Sequence, residues 1–209
     1  MAAYDLEEQE QLAELKAWWK QNGNLVLGAV AAVLLVFAGW NGWRWYQRSQ
    51  SLEAAALYEN LQQAARMNDG KAVRDAAGGI LENYARTAYA PLAALVSAKV
   101  NYQAGDLKTA RAQLQWAVDN ARQEEVRAIA RLRLATVLLD ENAYDEAMKA
   151  IEAKPAEGFD SLFASMRGDI LAAQNKRAEA RTAYNAAAEK AGNAAFRETL
   201  RLKTDALGE

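Results

Sequence analysis

The sequence contains no cysteine, no histidine and only two prolines. The first two absences together remove thiol nucleophiles, disulfides, imidazole bases and the usual zinc, copper and haem ligands. They say nothing about compartment, because a chain without thiols is indifferent to redox poise. An excess of one charge is missing too: 25 Lys and Arg stand against 27 Asp and Glu, interleaved along the chain. Without a basic block to neutralise phosphates, nucleic acid is not expected as a partner.

Other site signatures are incomplete. A phosphate-binding loop needs a glycine before the Gly-Lys pair and Ser or Thr after it; Gly70-Lys71 has no such glycine and is followed by Ala72. The stretch beginning Asp140-Glu141-Asn142 has Asp145 where a calcium loop must turn on glycine, and Ile151 where it needs a bidentate Glu. Ser97 and Lys99 are the nearest approach to a Ser/Lys pair, but residues two apart on a helix point to different sides. Paired carboxylates such as Glu124-Glu125 read as a solvated helix face. No catalytic, metal or cofactor residue is assigned, and the chain is not expected to be an enzyme.

One long hydrophobic run is present. Residues 25–40 carry no charged side chain, and extension to Trp43 gives about 19 residues, enough to cross most of a bilayer's hydrocarbon as a helix. Trp18 and Trp19 stand before it, and Trp40, Trp43, Trp45 and Tyr46 crowd its far end, where amphipathic rings favour the headgroup boundary. These six residues are the expected membrane-interface contacts. A cleaved signal would have a basic leader and a nearby small-x-small site; this leader is acidic (Asp5, Glu7, Glu8, Glu10, Glu14), and Ala54-Ala55-Ala56 comes too late. The run is therefore expected to be retained as a single span. Lys16 and Lys20 before it balance Arg44 and Arg48 after it, so the charge rule leaves its orientation open. Gly28 and Ala32, one turn apart, could dock a second membrane helix. Upstream, Leu12, Leu15 and Trp19 fall at helical spacing, and Asn22-Gly23 reads as a stop.

Beyond residue 51 the chain is Ala-rich, with breaks at Asn68-Asp69-Gly70, Gly105-Asp106, Asn142-Ala143 and Asn175-Lys176. Apolar residues recur at three and four between the breaks, and nothing alternates like a strand. Ala76, Ala110, Ala147 and Ala180 follow the breaks at spacings of about 34, 37 and 33, the period of a helix-turn-helix solenoid. Ile80, Leu114, Ile151 and Tyr184 stand one turn later, and Ala64, Ala98, Ala135 and Gly168 stand at a constant distance upstream. Antiparallel helices approach closely only where side chains are small, which explains the register. The clearest unit is LVSAKVNYQAGDLKTARAQLQWAV, residues 95–118. Helix pairs are expected over 51–87, 89–120, 124–152 and 159–190, with Gly78-Gly79 loosening the first and a capping helix from about Ala194. The fold class is thus all-α: an N-terminal transmembrane helix, then a tetratricopeptide-like solenoid of about four repeats with a C-terminal cap.

In such a solenoid the first helices line a concave groove suited to protein segments. The groove candidates are Leu95, Lys99, Tyr102, Arg133, Thr136, Leu139, Asp169 and Ala172. The leading choices are Lys99, Tyr102 and Arg133, an aromatic among cations.

The acidic tail with LKAWWKQNGN, the span ending in GWNGWRWYQ and the loose repeats together resemble the YfgM family of bacterial inner-membrane proteins. That resemblance implies an ancillary subunit of the SecYEG translocon that works beside the chaperone PpiD and meets periplasmic client proteins. It also implies a cytoplasmic tail (1–23), a membrane helix among lipids (24–46) and a periplasmic repeat domain (47–209). On the residues alone, a cytoplasm-facing scaffold and a histidine-free membrane hydrolase are the alternatives.

Glu at Ala110 or Ala147 would bury a charge where helices touch. Either substitution should unfold the affected pair in the purified repeat domain, read as lost helical circular dichroism and a lower melting temperature. Unchanged melting would refute the repeat register.

Overall fold

A computed structural model describes residues 2–208, with side chains from Glu10 onward. The tail carboxylates Asp5, Glu7 and Glu8 lie outside the side chains described. Every element among the described residues is helical. They are α1 (Ala2–Arg66), α2 (Gly70–Asn83), α3 (Tyr89–Gln103), α4 (Leu107–Asn120), α5 (Glu124–Asp140), α6 (Tyr144–Ala150), α7 (Asp160–Ala173), α8 (Arg177–Glu189) and α9 (Ala194–Ala206). The chain divides into two compact units, Met1–Ser49 and Gln50–Glu209.

In the first unit α1 is apolar and long enough to cross a membrane, and its hydrophobic side chains face outward: Leu25, Leu35 and Val36 are each about three-quarters exposed. Outward-facing apolar residues on all sides suit lipid, whereas a soluble core helix would bury them. The stop expected at Asn22-Gly23 does not occur. Asn22 donates its side-chain amide to the Trp18 carbonyl one turn back (3.1 Å), and Gly23 is covered by the Trp19 ring. An Asn-Gly pair ends a helix only when the chain beyond it turns away, and here the next residues are themselves strong helix formers in lipid.

The second unit is built from repeated turns. Asn68, Gly105, Asn142 and Asn175 all adopt positive φ, the conformation that Gly and Asn tolerate best. At each, the next residue's N–H reaches back to a carbonyl in the helix just ended: Asp69 to Ala64, Asp106 to Asn101, Ala143 to Leu138 and Lys176 to Leu171, at 2.8–3.0 Å. This is the Schellman ending four times over, and it satisfies carbonyls that would otherwise be orphaned. Asp69 and Asp106 then cap the following helices by accepting from the Ala72 and Thr109 amides, both at 3.0 Å.

Each helix packs on its successor from α2 to α9, and α5 packs on both α3 and α7. The result is the solenoid the spacing predicts, with pairs α3/α4, α5/α6 and α7/α8 following the pair made by the end of α1 and α2, and α9 closing the stack. Small residues stand at equivalent buried positions of each pair: Ala98 and Ala110, Ala135 and Ala147, and Gly168 and Ala180 are all buried. Larger residues such as Ile80, Ile170 and Leu200, fully buried, fill the layers between, each stabilising by about 1.5–3 kcal/mol relative to exposure.

The first pair corrects the sequence register. Aligned on the positive-φ residues, its contact positions are Leu61 and Val73, both fully buried, whereas Ala64 and Ala76 are half-buried one turn along. In an Ala-rich helix a small residue stands near every candidate position, so alanine spacing alone selects the wrong one. Gly78 and Gly79 do not interrupt α2, which runs unbroken past both.

Gly168 has a specific reason. A Cβ there would lie 2.4 Å from a Tyr184 ring carbon, so only glycine lets this ring pack so close to α7. Gly168→Ala should destabilise the protein by about 1–3 kcal/mol through overpacking, despite better helix propensity. Combining it with Tyr184→Ala should cost less than the two single effects summed, because the clash vanishes with the ring. Thermal melts of the four proteins check both statements.

Candidate functional site

The faces of α3 and α5 that remain uncovered form a cleft of about 290 Å³, lined by Ala98, Lys99, Tyr102, Leu114, Arg133, Thr136 and Val137. Four sequence-derived candidates, Lys99, Tyr102, Arg133 and Thr136, are thus brought together. The geometry holds them in place. The Tyr102 hydroxyl donates to the Asp140 carboxylate (2.5 Å), tying the end of α3 to the end of α5. That bond, then burial, then the negative charge raise the phenol's pKa above its ordinary value. Arg133 reaches the Leu95 carbonyl at 3.4 Å, and Thr136 donates to Leu132 on its own helix.

The other candidates sit elsewhere. Leu95 is 5% exposed and belongs to the core, because α5 packs over that side of α3, so it is not a groove contact. Leu139 is half-buried and packs against the same core, and Ala172 does so against the C-terminal one. Asp169 is already engaged: it accepts from the Tyr184 hydroxyl (2.8 Å) and from Lys203 of α9 (2.7 and 2.8 Å). The Lys203 ammonium also lies 5.6 Å from the Tyr184 ring centroid. These residues lock the cap onto the last pair.

Sequence reading missed a second recess. About 640 Å³ in volume, it shares Lys99 and Arg133 with the first and adds Arg66, Arg74, Val96, Val100 and Gln103. Arg66 and Arg74 flank the Asn68 turn, so anchoring the first repeat on that asparagine would have found them.

Ser97 is fully buried between α3 and α4. Its hydroxyl accepts from Gln113, whose side-chain oxygen in turn accepts from buried Asn101, both at 2.9 Å. Lys99 is exposed, so the two do not form a nucleophile-base pair. Among the described residues no group of three or more His, Cys, Asp or Glu could hold a metal ion.

In the first unit, Trp18 and Trp19 at one end and Trp40, Trp43, Trp45 and Tyr46 at the other are about half or more exposed, and Trp43 and Tyr46 are in ring contact at 6.2 Å. Gly28 and Ala32 are exposed on α1, with open space around the Gly28 Cα.

An apolar helix of membrane length followed by stacked antiparallel pairs defines a class, the single-span proteins that carry a tetratricopeptide-like domain. A family model described as a tetratricopeptide repeat-like domain matches residues 16–209. Three curated relatives, each named "Ancillary SecYEG translocon subunit", are similar along nearly their whole length. The Neisseria gonorrhoeae protein is 32% identical over 99% of this chain and 100% of its own. The Haemophilus influenzae protein is 27% identical (98% and 100%), and that of Escherichia coli K12 is 26% identical (96% of each). The chain belongs to this tetratricopeptide repeat-like family, and within it to the YfgM family.

Tyr184 supplies a pH test. Burial, then the Asp169 hydrogen bond, then the Asp169 charge raise its pKa above the ordinary 10.0. Its stabilising contribution is therefore complete below that value and is lost as pH rises past it, because the unfolded chain releases a proton that the folded one keeps. Tyr184→Phe should show a smaller fall in melting temperature between about pH 9 and about pH 11 than the parent. Equal slopes would contradict this account.

Proposed function

We propose that this protein is a membrane-anchored adaptor at the SecYEG translocon. Its tail lies in the cytoplasm, α1 crosses the inner membrane, and the repeat domain faces the periplasm. There the α3/α5 groove binds protein segments and helps pass emerging chains to periplasmic chaperones such as PpiD. Gly28 and Ala32 form the face of the span that docks on membrane partners. The aromatic residues at its two ends set its depth.

The observation that carries this reading is the cleft where Lys99, Tyr102, Arg133 and Thr136 converge, in a chain similar over its full length to proteins named as translocon subunits. A recess with an aromatic wall, an aliphatic floor and cationic rims suits a polypeptide segment. The buried Ser97 gives a hydrolase no support.

Fusions after Glu209 test the orientation. Alkaline phosphatase should be active there and GFP dark; the opposite pair of results would favour a cytoplasm-facing scaffold and end the translocon-exit reading. Photo-crosslinking through position 102 and through the span should then capture translocon or chaperone components. Capture of neither would count decisively against the adaptor.

A further inference from the structure

Carboxylates are distributed unevenly among the recesses of the repeat domain. The cleft between α4, α5 and α6 is lined by Arg111, Arg131 and Lys149 together with Glu146, which pairs with Arg111. The one beside α7 and α8 is lined by Lys154, Arg167 and Lys190 together with Glu152, Asp160 and Glu179. The joined recesses on α3 and α5 differ. Arg66, Arg74, Lys99 and Arg133 line them, none of the four is in an ion pair among the described residues, and no Asp or Glu belongs to either lining. Of the nearby carboxylates, Asp140 accepts from Tyr102, and Asp106 caps α4 by accepting from Thr109 while its charge also attracts Arg74.

Acids outnumber bases in the whole chain, so four bases lining these recesses with no acid among the lining residues are a local excess against the overall balance. An incoming anion relieves their mutual repulsion. The floor between Lys99 and Arg133 is apolar, made of Ala98, Leu114 and Val137. A lone inorganic anion has no use for such a floor. A flat lipid surface cannot enter a recess to reach it. A polypeptide with carboxylates on either side of one apolar residue uses both features.

We propose that the groove binds acidic segments of other polypeptides, seating one aliphatic or aromatic side chain against Ala98, Leu114 and Val137, with flanking carboxylates on Lys99 and Arg133 and further ones on Arg66 and Arg74. This rests on the adaptor reading above and narrows it to a ligand chemistry. Specificity arises from the sign of the charge, and selection of the seated residue from the floor.

The test uses the full chain in a non-ionic detergent and labelled peptides of about twelve residues. One carries Asp and Glu around a central Phe, one carries Lys in place of the acids, and one is acidic with Ser for Phe. The acidic Phe peptide should bind, and each of the others should bind at least about tenfold more weakly. Raising NaCl from about 50 to about 500 mM should weaken it further. Lys99→Glu with Arg133→Glu should reverse the preference toward the Lys peptide; both side chains reach solvent, and circular dichroism checks that helicity is retained. Arg66→Ser with Arg74→Ser should independently weaken the acidic peptide. Equal binding of acidic and basic peptides, an unchanged preference in the charge-reversed variant, or binding of anionic phospholipid vesicles in place of peptide would overturn the proposal. If no peptide binds while crosslinks through position 102 still capture a partner, the acidic ligand is wrong and the adaptor stands; if both fail, both fall.

Discussion

The repeat domain depends on one backbone constraint, the left-handed residue that closes the first helix of each pair. Asn68, Gly105, Asn142 and Asn175 reverse the chain with the same hydrogen bonds, and this fixes which residue of the second helix faces which residue of the first. Ala98 and Ala110, and Ala135 and Ala147, are buried in one core at equivalent places around their turns because the turn sets the phase between the helices. Once that phase is fixed, the opposite side of each first helix is committed to be either shared with the neighbouring first helix or left open. The cleft is the part of α3 and α5 left open. A local conformational preference of two residue types therefore determines where an open cleft can be.

The same constraint explains what could be read in advance. The four pairs and the cap were legible because turn residues act locally and apolar spacing reports the buried stripe directly. The first pair was misaligned by one turn because Ala64 and Ala76 are alanines in a helix full of them, whereas Leu61 and Val73, which make the contact, are large. The Asn22-Gly23 stop failed for the converse reason: the residues permit an ending, but whether one occurs depends on the helix-forming strength of the segment downstream. That Lys99, Tyr102, Arg133 and Thr136 share one cleft was legible from register alone. Leu95 was not, since its burial comes from α5, a helix that begins about thirty residues later. Arg66 and Arg74 were missed as a direct consequence of the misaligned first pair.

Charge shows the same division between composition and placement. A net charge of -2 describes a nearly neutral chain, yet the recesses on α3 and α5 are lined by cations without a carboxylate, while the other recesses are lined by both signs. Surface pairs such as Arg201 with Glu198 contribute little to stability in solvent. Where both signs line a recess their fields partly cancel, a cancellation that the linings of the α3/α5 recesses lack.

The lock between Asp169 and Lys203 has a consequence in time. The two residues are 34 positions apart, so when α7 and α8 have been synthesised, the Asp169 carboxylate still lacks the ammonium that completes its site. Chains are made and delivered from the N-terminus, so the earlier pairs can assemble while the last one waits. The residues of the α3/α5 cleft are thus all synthesised before the helix that closes the stack.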